Sequence, residues 1–128
     1  MSMKSTITLL SSATNTSTTT GSWVSTIKGP TQPILGGSEG YDKMSVYQTI
    51  GTVSGTTPTL DLTIEGSLDG GTTAFTLTPN QAWTQVTSST NKQVRHYKDL
   101  PPLVRAVATI AGSSPTFASH EVKAELNG

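Results

Sequence analysis

Cysteine is absent from the chain, and with it go disulfides, thiolate metal sites and cysteine nucleophiles. Stability must then come from packing or from a partner. Charge is scarce too: 12% of residues are charged, with eight of each sign, about half the share of an average domain. With no net charge, nothing pulls a phosphate backbone in from a distance, so nucleic acid is not an expected partner. Low charge also gives weak colloidal protection, which suits a protein bound into something larger. Long hydrophobic runs are missing. No segment approaches the roughly 20 apolar residues of a membrane span, and the start, Met1 to Ala13, lacks the apolar core of a signal peptide. No membrane partner is expected, and the expectation is synthesis and folding in a cytoplasm.

What fills the space instead is hydroxyl. Ser and Thr supply about a third of the 128 residues, Thr leading. Thr is β-branched and suits the solvated face of a strand. Here it alternates with apolar residues, which argues against a glycosylated stalk. The length fits one domain that buries about two thirds of its surface, enough for a modest core.

The chain is organised around Leu60 to Leu77. Leu60, Leu62, Ile64, Gly66 and Leu68 share one parity, and Asp61, Thr63, Glu65 and Ser67 share the other, the period of a strand with one buried face. Asp69-Gly70-Gly71 ends the run where positive φ is cheap, and Phe75 and Leu77 follow on one parity, so the stretch reads as a β-hairpin.

Upstream, Lys4 to Leu10 alternates Ile7 and Leu9 with Thr6 and Thr8. Ser11 to Ser22 is polar and turn-prone, either a flexible connection or a long hairpin tip, which makes residues 1–22 a candidate N-terminal arm. Trp23 to Lys28 is a second strand, and the Pro- and Gly-rich residues 29–43 form a long irregular loop. Met44 to Val53 resumes alternation, and Ser54 to Thr59 reads as a turn. Downstream, Ala82 to Thr87 and Gln93 to Lys98 are short strands. Leu100-Pro101-Pro102-Leu103 fixes an extended corner. Val104, Ala106, Ala108 and Ile110 mark a core strand, Ala111 to Pro115 turns the chain, and Thr116 to Leu126 supplies a last strand with Val122, Ala124 and Leu126 inward. No helical window is found. The expected fold is all-β: a single antiparallel β-sandwich or barrel, jelly-roll-like, with about eight or nine short strands over residues 1–128.

Residues that could carry chemistry are sparse. His96 and His120 lie on separate strands with no set of ligands around either, and no G-x-S-x-G elbow accompanies them. Asp61 and Glu65 share a face about 13 Å apart, too far for a glycosidase pair. Asp69 in its glycine turn lacks the alternating ligands of a calcium loop. Gly36 to Gly40 lacks the Lys-Ser/Thr of a phosphate loop. Trp23, Trp83, Tyr41, Tyr47 and Tyr97 could stack sugars, but at 5% aromatics the core needs most of them. No catalytic residue, cofactor or metal is expected.

The stretches IEGSLDGGTTAFTL and LPPLVRAVATIAGSSPTFASHEVKAEL resemble the small β-sandwich virion proteins of tailed bacteriophages, most of all capsid decoration, or cement, proteins. The resemblance runs from about Met44 to Leu126 and is carried by the strand into S-x-D-G-G-T, the L-P-P-L-V-R corner and the A-G-S-S-P-T-F turn. It implies a homotrimer on the outer capsid surface of the virion that ties neighbouring copies of the major capsid protein together. The alternatives are a tail or baseplate component and a carbohydrate-binding or adhesion module. Partner contacts are expected from the N-terminal segment (Met3, Ile7, Leu9), which could add a strand to a neighbour's edge, and from the irregular loop (Ile34, Leu35, Tyr41, Asp42).

Overall fold

A computed structural model describes residues 4–27 and 41–127. The described chain is all-β, one curled antiparallel sheet of eight strands. In order these are β1 (Lys4–Asn15), β2 (Thr19–Thr20), β3 (Val24–Ser25), β4 (Lys43–Ile50), β5 (Val53–Ser67), β6 (Phe75–Thr76), β7 (Asn91–Lys98) and β8 (Leu103–Asn127). Met3, Ile34, Leu35 and the Gly36 to Gly40 run lie outside the described residues.

β8 is the axis of the sheet. Along one side run β3, β2 and β1, with Val24 opposite Val104, Thr19 opposite Ala108 and Ile7 opposite Ala124. Along the other run β5 and then β4, with Gly66 opposite Val104, Leu62 opposite Ala108 and Val46 opposite Ala124. β7 extends the sheet beyond β4, and β6 beyond β5. Val104 to Ile110 and Thr116 to Leu126, expected as two short strands, are therefore halves of one strand of 25 residues.

The presumed turns do not reverse the chain; they bend it. Ser54 to Thr59 and Ala111 to Pro115 pair with each other, with register shifts between Ser54 and Thr56 and between Thr56 and Thr59. Gly55, Thr57, Gly112 and Ser114 all have positive φ there. A Cβ on Gly112 would sit 2.7 Å from the Thr57 carbonyl oxygen, and one on Gly55 2.6 Å from that of Ser114. Each glycine thus lies against the other strand's backbone at the bend. Asn15 faces Phe117 and Thr19 faces Ala108, so β1 and β2 take four residue steps past a bend where β8 takes nine. The N-terminal segment follows the short side of a corner that β5 and β8 turn together. Such bulged corners let one strand serve both layers of a folded sheet.

Folding the sheet brings its halves onto one core. Leu9, Leu10, Met44, Val46, Ile50, Val122, Ala124 and Leu126 from one half join Leu60, Leu62, Ile64, Val104, Ala106 and Ala108 from the other in a single buried cluster. The even-numbered residues of β4, from Met44 to Ile50, are all buried, as a half-buried strand requires.

The central hairpin forms, with Glu65 opposite Thr76 and Gly66 opposite Phe75. Ser67 donates its hydroxyl to Asp69 Oδ1, which also accepts from Thr73 N–H, while Gly71 N–H donates to Ser67 Oγ. That turn ends the strand, so Leu68, expected inward, is 73% exposed. The Ala82 to Thr87 segment is not a strand; its one ladder-type pairing with the sheet is an antiparallel bridge between Val86 and Leu60, and side chains make its other bonds.

Gly112→Ala is expected to cost about 2 kcal/mol or more in urea unfolding, because strain in φ is joined by a backbone clash. Gly70→Ala, at positive φ but with nothing within 4 Å of its Cβ, is expected to cost about 1 kcal/mol.

Candidate functional site

Several residues expected to meet a partner serve the interior instead. Leu9 and Tyr41 are 3% and 5% exposed, and Ile7 packs partly buried against the same core. The reason is the docking of β1 on β8, which turns Ile7 and Leu9 inward; the register shift after Thr8 brings Leu10 inward as well. The 1–22 arm is therefore, from Lys4 to Asn15, a strand of the sheet. Tyr41 N–H donates to the Thr26 carbonyl and Asp42 N–H to that of Asn127. Asp42 itself is exposed.

Beside Asp42 opens a cleft of about 790 Å³. It lies at the end of the outer sheet face, where Lys43 stands directly opposite Lys98 and Ser45 opposite His96. The loop Thr78 to Asn80 forms its other wall, with Asn127 at its end and Asp99 also on its lining. Asn80 completes the free edge of β7: its N–H donates to the His96 carbonyl, and its Oδ1 accepts from His96 N–H. Ser45 Oγ lies 2.9 Å from His96 Nδ1. Among the described residues no carboxylate is bonded to that histidine, and no group of three or more His, Asp or Glu could hold a metal ion. The arrangement is one of hydrogen-bond donors around an open space. Sequence reasoning missed it because its parts come from positions 43, 80, 98 and 127, joined by the ladder and, for Asn80, by its bonds to His96.

The second histidine is buried. His120 is 0% exposed; its Nδ1 accepts from Asn15 Nδ2 at 2.8 Å, and its Nε2 donates to Gln48 Oε1 at 2.9 Å. This neutral tautomer links β1, β8 and β4 at the entrance to the corner. Gln48 Nε2 is buried with no hydrogen-bond partner among the described residues. Burial pushes the His120 imidazole down to about 4. The signal was present in the sequence, since His120 shares the parity of Val122 and Ala124.

The aromatics do not gather on one surface. Trp83 Nε1–H donates to Tyr97 Oη at 2.7 Å, and burial pushes the Tyr97 phenol up to about 12. The buried Arg95 binds the same loop to β7, donating to the Ala82 carbonyl and lying 5.3 Å from the Trp83 ring. Trp23 lies 4.3 Å under the Arg105 guanidinium, which also pairs with Glu65 at 2.8 Å. Gly71 lies against the indole, with room for no Cβ. Tyr47 stands on the outer sheet face, 46% exposed, opposite Val94. The Asp61 carboxylate accepts from Gln85 Nε2. No family model matches the chain, and no curated protein matches it.

The linkage of His120 has a definite sign. The unfolded chain takes up a proton near pH 6.5, which the folded chain resists down to about 4. Stability from this group is therefore complete above about pH 6.5 and falls by up to about 3 kcal/mol as pH drops to 4. In urea unfolding at pH 7, 5.5 and 4, His120→Gln is expected to be the less stable protein at pH 7. Its deficit is expected to shrink as pH falls; a constant deficit would contradict the buried neutral imidazole. Tyr97→Phe, which strips Trp83 Nε1–H of its acceptor, is expected to cost about 1–2 kcal/mol in the same assay at pH 7.

Proposed function

We propose that the protein is a structural component of a tailed-phage particle that binds the outer surface of the assembled capsid, as a homotrimer, and holds neighbouring major capsid subunits together. The two segments that carry the resemblance to decoration proteins are β5 with its hairpin and β8, which pair with each other from Val53 to Ser67. The resemblance therefore falls on the frame of the fold.

What supports a binding role most directly is the edge of the sheet. Among the described residues β1 pairs with β8 alone, so the second edge of this strand of 12 residues carries no ladder there, with Gly21 against it at the Leu9 carbonyl. Its outward side chains Thr6 and Thr8 are exposed hydroxyls. Backbone groups on such an edge can accept a further strand without any reactive side chain. Low charge and the hydroxyl-rich surface are consistent with a protein held in a lattice.

Stabilisation on this reading is mass action. A protein that binds the assembled shell, and not its separated subunits, shifts the equilibrium towards the shell, and many sites per particle multiply the shift. Purified protein mixed with empty and with expanded shells is expected to give added density at symmetry-related positions by electron microscopy, and to raise the temperature at which shells come apart. Density confined to tails would assign the protein to the tail or baseplate instead. Absence of density from every particle would end the proposal.

A further inference from the structure

We infer that the cleft at the end of β4 and β7 receives a carboxylate side chain from an extended acidic segment of a partner protein. The inference rests on the particle-binding reading above and names the chemistry of the contact.

Lys43 and Lys98 stand opposite each other in register, and both are exposed. Like charges directly across a ladder repel. Neither ammonium has an ion-pair or hydrogen-bond partner among the described residues. Asp99, the carboxylate on the cleft's lining, pairs with neither lysine there.

Two more donors open on the same space. With Ser45 Oγ–H donating to His96 Nδ1, the ring hydrogen is assigned to Nε2, which has no partner among the described residues. Asn80 spends Oδ1 on His96 N–H, leaving the two hydrogens of its Nδ2 unspent. Four donor groups thus line one cleft with a single carboxylate among them. What is missing is an acceptor carrying negative charge.

A side-chain carboxylate suits this set better than a phosphate. Lysine binds phosphate as a point charge, but no arginine lines this cleft to grip a phosphate with two parallel bonds. Pro79 and Tyr97 give it apolar wall, and a cleft of about 790 Å³ lies in the size range of small-ligand sites, room for an acidic side chain.

The full-length protein, ¹⁵N-labelled, tests this by titration in low salt with three probes: acetyl-Glu-Asp-Glu-amide, its neutral counterpart acetyl-Gln-Asn-Gln-amide, and inorganic phosphate. The acidic peptide is expected to shift the amide signals of Ser45, Asn80, His96 and Lys98, and to bind about tenfold more weakly in K43Q/K98Q and again at 0.5 M NaCl. Equal shifts with the neutral peptide, saturation by phosphate with no response to the acidic peptide, or an unchanged affinity in K43Q/K98Q would overturn the inference. If the acidic peptide titrates as expected while shells fail to bind the protein, the cleft stands and the capsid reading falls. If shells bind and the acidic peptide leaves the spectrum unmoved, the cleft assignment falls alone.

Discussion

One strand paired on both sides through a bend is the constraint on which the rest of the structure depends. β8 carries β1, β2 and β3 along one edge and β4 and β5 along the other, so its backbone groups are satisfied in both layers of the fold. A buried strand can change layers only if the ladder survives the corner, because each unpaired buried amide or carbonyl costs about as much as a lost hydrogen bond. β5 solves this by bending at the same place. Gly55 and Gly112, both at positive φ and each against the opposite strand's backbone, let two chains turn together without separating.

From that corner follow the core and the sites. Folding the sheet seals Leu60, Leu62 and Ile64 against Met44, Val46 and Val122 within one cluster. It also buries His120 where β1, β4 and β8 meet, with Asn15 and Gln48 supplying its two hydrogen bonds. At the far end of β4 and β7 the outer face runs out beside the Thr78 to Asn80 loop, and the lysine-lined cleft opens there. The corner holds the fold together and the strand ends face outward. The proposed binding to a larger assembly calls for that division, since the groups that bind must not be the groups that keep the protein folded.

Much of this was legible in the sequence because a half-buried strand announces its period. The alternation of Leu60 to Ile64 and of Val104 to Ala108 gave the buried faces correctly, whereas Met44 to Val53 carries apolar groups on both parities and only its even-numbered face is buried. Local composition failed where pairing was decided far away. SGTTPT and AGSSP have the residues of reversing turns, yet each is the other's partner across the ladder, and that relation has no local signature. Arg95, rather than its apolar neighbour Val94, faces inward because Trp83 and the Ala82 carbonyl receive its guanidinium. Ile7 and Leu9 looked like an adhesive arm because a strand that docks on its own sheet and one that docks on a neighbour's have the same alternation. The cleft, assembled from four separated segments, had no signal at all.

Cross-strand nuclear Overhauser contacts along β8 test the central claim most directly. A continuous bent strand predicts backbone contacts between Leu62 and Ala108 and between Val46 and Ala124, and none pairing Ala108 with the residues just beyond Pro115. A ladder joining Val104 to Ile110 with Thr116 to Val122, the pattern of a hairpin closed at Gly112, would contradict it.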